Sequence, residues 1–192
     1  MTDAVYETLR TDSDLGPIVE DHGRLSLDPA EDLFQRLVTS IVRQQVSMAS
    51  AEAIRDRLFD TVEVTPSGIL ATDPETLRDV GLSQQKTRYL QDAARTFQAE
   101  GYDRETLARL SNDAVRDRLI DITGVGDWTV DMQLMFALGR EDVFPVGDLG
   151  IRTGMHAIVD PDLTCEEMVA HAERWRPYRS YAALYLWRVT DD

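Results

Sequence analysis

Lysine is almost missing from this chain, and cysteine is reduced to a single residue. The 192 residues carry 20 basic side chains against 35 acidic ones, a net charge of −15, and Lys86 is the only lysine. At ordinary ionic strength so acidic a protein repels a polyanion such as DNA. The acids are nevertheless spread along the chain instead of gathered in a tail, and the other basic residues are all arginine. This composition is the signature of a very salty cytoplasm. At about 1 M salt the Debye length is only about 3 Å, so diffuse repulsion is screened and close contacts decide binding. Composition therefore leaves open a halophilic nucleic-acid-binding protein and an acidic enzyme that never meets DNA.

With Cys165 as the only cysteine, no intrachain disulfide can form and a four-cysteine iron-sulfur cluster is excluded. His22, His156 and His171 are too scattered to suggest a metal site, so no transition metal is expected. No apolar run reaches the roughly 18 residues of a membrane-crossing helix. Met1 to Arg10 carries acids and lacks the apolar core of a signal peptide. A cytoplasmic, monomeric protein without a membrane partner is expected. The length suits one compact unit over residues 1–192, with two lobes at most.

Helical periodicity is plentiful. Leu33, Leu37 and Ile41, then Ala51, Ile54 and Leu58, then Leu90, Ala94 and Phe97 each recur at the spacing of one helix face. Alternating strand patterns are scarce. Asp28-Pro29, Ser47, Asp73-Pro74, Ser111 and Thr164 are expected helix starts, and Gly81, Gly101, Gly124 and Gly147 expected turns. The reading is all-α, with roughly ten short helices.

The stretch from Leu119 to Asp148 holds the most information. Asp113 to Ile122 reads as one helix with Val115, Leu119 and Ile122 on one face, and Asp127 to Leu138 as the next with Val130, Leu134 and Leu138. This hairpin, about residues 113–138, turns at Gly124, Val125 and Gly126, where glycines permit a tight turn with exposed backbone. The amides of Gly126, Asp127 and Trp128 open the second helix, and such starts bind anions. A turn of this kind is often only a turn, so a grip on a DNA backbone and a plain connection stay equally open. Asp148 stands 22 positions beyond Gly126, just after Gly147, at the start of an expected helix Leu149 to Val159. An aspartate there is ordinarily an N-cap worth about 1 kcal/mol.

These segments resemble the helix-hairpin-helix and Gly-Pro-Asp loop of the DNA glycosylase superfamily. Thr123 replaces the usual proline before the first glycine, and Pro145-Val146-Gly147-Asp148 is a loose version of the loop. The final run from Arg174 through Tyr178, Tyr181 and Tyr185 to Trp187 resembles the end of the 3-methyladenine DNA glycosylase II type. The resemblance implies an all-α, two-lobed fold with the active site in the cleft between the lobes, without the β-rich N-terminal domain of some relatives.

It also implies roles. Asp148 matches the catalytic carboxylate: the sugar becomes an oxocarbenium-like cation as the base departs, and an aspartate at the positive end of a helix stabilises that cation and orients water. Trp128 stands where strand-cleaving relatives carry a Schiff-base lysine, so a monofunctional enzyme is expected. Trp128 and Trp187 match a base pocket, where indole faces attract a cationic alkylated purine by roughly 0.5–2 kcal/mol; a tryptophan on a helix serves equally as core. DNA contacts are implied for Gly124, Val125, Gly126 and Thr129 of the hairpin. A second turn, Gly81, Ser83 and Lys86, matches another backbone contact, against an ordinary capped helix with a solvated lysine. Gln45, between Gln44 and Val46, matches the wedge that fills the space of an extruded nucleotide, against a polar interhelical corner. Asp127 is a departure, because a carboxylate at the hairpin turn repels a phosphate. Backbone carbonyls of Ile120, Ile122 and Val125 are implied to hold a structural monovalent cation; no other cofactor is required.

The expected function is excision of alkylated purines, 3-methyladenine and 7-methylguanine, from damaged duplex DNA in base excision repair. Two rivals are a glycosylase for oxidised or mismatched bases, and a noncatalytic helix-hairpin-helix DNA-binding module. The missing lysine at position 128 and the missing cluster weigh against the first, and Asp148 with Trp187 against the second.

Overall fold

The computed structural model describes residues 1–191, and among them every regular element is helical. In chain order these are α1 (Asp3–Arg10), α2 (Gly16–His22), α3 (Leu33–Arg43), α4 (Met48–Thr61), α5 (Pro66–Ala71), α6 (Pro74–Asp79) and α7 (Gln84–Glu100). They continue with α8 (Arg104–Ala108), α9 (Asn112–Ile120), α10 (Asp127–Phe136), α11 (Leu149–Ile158), α12 (Cys165–Ala172), a 3₁₀ turn Glu173–Trp175 and α13 (Arg179–Asp191). The count exceeds the expected ten because α5, α6 and α8 are each little more than one turn, too short for periodicity to resolve.

Caps follow the sequence at Ser47, Asp73, Ser111 and Thr164, whose side chains accept the N–H groups of Ser50, Glu75, Ala114 and Glu167. Asp28-Pro29 is a correction. Residues 23–32 run without helix, and Asp32 caps α3 by accepting the Gln35 amide at 2.8 Å. The apolar stripe begins only at Leu33, so the cap is the last short acceptor before it. The hairpin helices are also shorter than expected. α10 stops at Phe136 because Gly139 turns the chain at φ 68°, with Arg140 N donating back to Leu134 O at 2.9 Å.

The chain divides into two compact units, residues 30–133 and residues 1–29 with 134–192, the second boundary falling inside α10. In the first unit Leu37, Ile41, Leu58, Ile69, Leu77, Leu90 and Leu119 are fully buried, chiefly where α3 and α5 pack on α7. In the second, Leu9, Leu15, Ile151, Met155, Trp175 and Tyr185 form the core. Each such side chain stabilises its unit by about 1.5–3 kcal/mol. There α11 lies against α13 at Gly154, where an added Cβ would meet Leu186 O at 2.6 Å. No helix among the described residues is long and apolar enough to cross a membrane.

Candidate functional site

In the 30–133 unit, the hairpin turn joins α9 to α10. Gly124 has φ 87°, and an added Cβ would sit 2.3 Å from the ring of Tyr89, so conformation and space both demand glycine. Gly126 differs. It is exposed, and nothing lies within 4 Å of where its Cβ would stand. Its bare backbone is open to a close-approaching group at the start of α10. Val125 is only 6% exposed, and Thr129 only 2%. Neither side chain offers a surface; the Thr129 hydroxyl accepts Gln44 Nε2 inside the unit at 3.2 Å. The side-chain size that suits a helix interior hid this from the sequence.

Two departures at the turn find partners. Thr123 has the N–H that a proline lacks, and donates it to Asp92 Oδ2 of α7 at 2.9 Å. Hydrogen bonds from Thr123, helped by Arg95, hold the Asp92 carboxyl below its ordinary 3.8. Asp127, with 78% of its side chain exposed, pairs with Arg116 Nη1 of α9 at 2.9 Å. Arg116 also reaches Asp131 at 2.5 Å, and burial pushes that carboxyl above the ordinary range despite the pairing. Arg116 thus clamps α9 to α10 and offsets the charge that Asp127 brings to the turn.

The corner between α3 and α4 is tied to this hairpin. Gln44 Nε2 donates to Gly124 O at 2.9 Å as well as to Thr129. Gln45 beside it is exposed and has φ 54°, a left-handed conformation that is strained for a residue other than glycine. Val46 and Met48 are also exposed there, at 39% and 58%. The corner is therefore exposed at its tip and anchored at its base.

Lys86 is half-buried, its ammonium donates to Val42 O at 2.6 Å, and burial lowers its pKa. The last carbonyls of α3 lack partners within the helix, and a cation at a helix C-terminus is favoured by the dipole. At the Gly81 turn the nearby cation is instead Arg57, which donates from Nε to Val80 O at 2.9 Å and would crowd a Cβ on Gly81 at 2.8 Å. Gly81 has φ 107°, and Ser83 caps α7 by accepting the Lys86 amide at 3.1 Å.

In the other unit, Asp148 caps α11. Its Oδ1 accepts the Ile151 amide at 3.2 Å and also Trp187 Nε1 of α13 at 2.8 Å. The loop before it is pinned by Asp148 N to Pro145 O at 2.9 Å and by Arg152 Nη1 to Gly147 O at 3.3 Å. Asp148 and Trp187 are both half-buried. The Phe136 ring lies 5.9 Å from that of Trp187, tilted by 34°. A carboxylate whose proton-donor partner is itself an aromatic wall can face a cation while a planar apolar group lies alongside. Phe136 and Gly150 were not legible as neighbours of Trp187, because only folding brings them to it. Trp128, also half-buried, lies in the first turn of α10 in the 30–133 unit.

Residues 38–178 match the family described as the HhH-GPD superfamily base excision DNA repair protein. The chain is 30% identical over 185 residues to the putative DNA-3-methyladenine glycosylase YfjP of Bacillus subtilis, covering 91% of this chain and 64% of that protein. It is 35% identical over 167 residues to DNA-3-methyladenine glycosylase 1 of Schizosaccharomyces pombe, covering 82% of this chain and 72% of the relative. The solved structure of the fission-yeast 3-methyladenine DNA glycosylase Mag1 in complex with abasic DNA superposes with a TM-score of 0.89 at 30% identity, over 98% of this chain and 97% of that one.

Proposed function

Since the chain belongs to the HhH-GPD superfamily of base excision DNA repair proteins, we propose that it is a monofunctional glycosylase that removes alkylated purines from duplex DNA in the cytoplasm, acting as a monomer. The observation that carries this reading is the contact between Trp187 Nε1 and Asp148 Oδ1 at 2.8 Å. It joins a π-surface suited to a cationic base and a carboxylate suited to a cationic sugar.

In this mechanism a DNA backbone lies on the bare Gly126 turn and the amides that open α10. The exposed Gln45 corner fills the gap as the target nucleotide rotates out of the stack. Asp148 stabilises the oxocarbenium-like sugar as the base leaves and orients the water that adds to it. Trp187, with Phe136 beside it, supplies an apolar face for the flipped base. Alkylation at purine N3 or N7 makes the base cationic and weakens its bond to the sugar, so modest stabilisation by the protein suffices.

The monovalent-cation site is part of this proposal. α9 ends at Ile120, so its last carbonyls have no helical partner ahead, and Ile122 O, which accepts Val125 N at 3.0 Å, keeps a second lone pair. Carbonyl oxygens from Ile120, Ile122 and Val125 are donors of the kind that replace the hydration shell of potassium. A bound cation would supply positive charge beside a phosphate.

Defined lesion duplexes at molar potassium chloride, with freed bases quantified, test the reading. Release of 3-methyladenine and 7-methylguanine is expected well ahead of hypoxanthine or 8-oxoguanine. Faster release of 8-oxoguanine would turn the assignment towards oxidised bases.

A further inference from the structure

Gly150 sits in the first turn of α11 with an ordinary helical backbone, so it is not needed for a positive φ. Glycine is a poor helix residue, and its presence there asks for a spatial reason. The reason lies at the contact between Asp148 and Trp187. A Cβ on residue 150 would stand 2.7 Å from Cδ1 of Trp187, 3.2 Å from its Nε1 and 3.1 Å from Oδ1 of Asp148. Carbon atoms pack at roughly 3.5–4.0 Å, so even a methyl group must displace the indole. The ring has little freedom to yield elsewhere, since Phe136 lies 5.9 Å away and α13 packs closely on α11. The three nearest atoms that a methyl would meet belong to the two side chains that form the 2.8 Å hydrogen bond.

We infer that Gly150 is a positioning residue for the reaction, because its bare Cα admits the indole edge of Trp187 to the Asp148 carboxylate. The inference rests on the glycosylase reading of Asp148 for its catalytic consequence, while its structural part can be tested without turnover. Residue 150 acts through the other two. A side chain there pushes the indole off Oδ1 and turns the aromatic face. The consequence is a lower rate of base release with DNA binding preserved.

Three tryptophans give three indole N–H resonances, and Trp187→Phe identifies the one from position 187. Gly150→Ala is expected to shift that resonance upfield and leave those of Trp128 and Trp175 in place. Gly154→Ala, equally crowded but against Leu186 O, is expected to lower stability without moving it. Single-turnover excision by Gly150→Ala is expected to fall by on the order of tenfold to a hundredfold, with affinity for abasic-site DNA unchanged. In the Trp187→Phe background the same substitution is expected to change the rate by no more than about twofold, since both act on one contact. An unshifted resonance, or losses that simply add, would overturn the inference. If Gly150→Ala does not fold, adding Trp187→Ala removes the indole atoms in its way and is expected to restore cooperative melting; failure to do so would equally overturn it. A wild-type protein with the expected indole shifts but no activity on any alkylated duplex would reject the functional reading alone.

Discussion

Trp187 Nε1 donates to Asp148 Oδ1 across 2.8 Å, while the same oxygen accepts the Ile151 amide at 3.2 Å. The aromatic residue and the carboxylate were separate expectations in the sequence, and folding makes them one hydrogen-bonded unit. The α11 cap is thus also the acceptor for the Trp187 indole. Changing either side chain alters what the other can do.

Asp148→Asn preserves an N-cap and so the start of α11, but removes the charge. Base excision is expected to fall by at least about a thousandfold, roughly 4 kcal/mol of transition-state stabilisation, with binding to abasic-site DNA retained. Near-normal turnover in the folded variant would remove Asp148 from the mechanism.

Trp187→Phe keeps an aromatic face and deletes the N–H donor. A hydrogen bond to a charged group is worth about 1.5–3 kcal/mol, so a rate loss of roughly tenfold to a hundredfold is expected. Trp187→Ala is expected to lose rate and also the preference for methylated purines. Single-turnover rates on methylated and hypoxanthine duplexes separate the two effects.

Trp128 has no amine with which to form a Schiff base. Strand cleavage beyond that caused by alkali or heat is not expected, and borohydride is expected to trap no protein-DNA adduct. A covalent adduct on a denaturing gel would contradict a monofunctional mechanism.

The net charge of −15 is self-repulsive when unscreened. Helicity and cooperative melting are expected to persist at molar potassium chloride and to decline as salt is removed. Circular dichroism across a salt series reports this, and undiminished melting in dilute buffer would exclude salt dependence.

The bond from Thr123 N to Asp92 brings its own pH dependence. Hydrogen bonding depresses the Asp92 carboxyl in the folded protein, so its contribution is fully present above the ordinary 3.8 and is lost as pH falls through the lower folded value. Asp92→Asn is expected to flatten that acid limb of a stability profile and to leave the neutral range shifted by a small constant. An identical acid limb in the variant would show that other carboxylates govern it.

The sequence by itself determined what is local. Periodicity at Leu33, Leu37 and Ile41 sets a buried helix face, short acceptors at Ser47, Ser111 and Thr164 set helix starts, and Gly124 sets the turn, because each depends on residues within a few positions of one another. Asp148 was legible for the same reason, as a cap after a glycine. Only the tertiary structure decided which side chains spend their polar groups inside the units. It turned Lys86 onto Val42 O, Thr129 onto Gln44 and Trp187 onto Asp148, across separations of 44, 85 and 39 residues. It also decided why glycine stands at position 150, since no local conformation requires it and the nearest atom, Cδ1 of Trp187, comes from α13. A helix pattern specifies which face is buried, but the partner of a polar atom at that face is set by packing between elements, where a few tenths of an ångström decide whether a hydrogen bond forms.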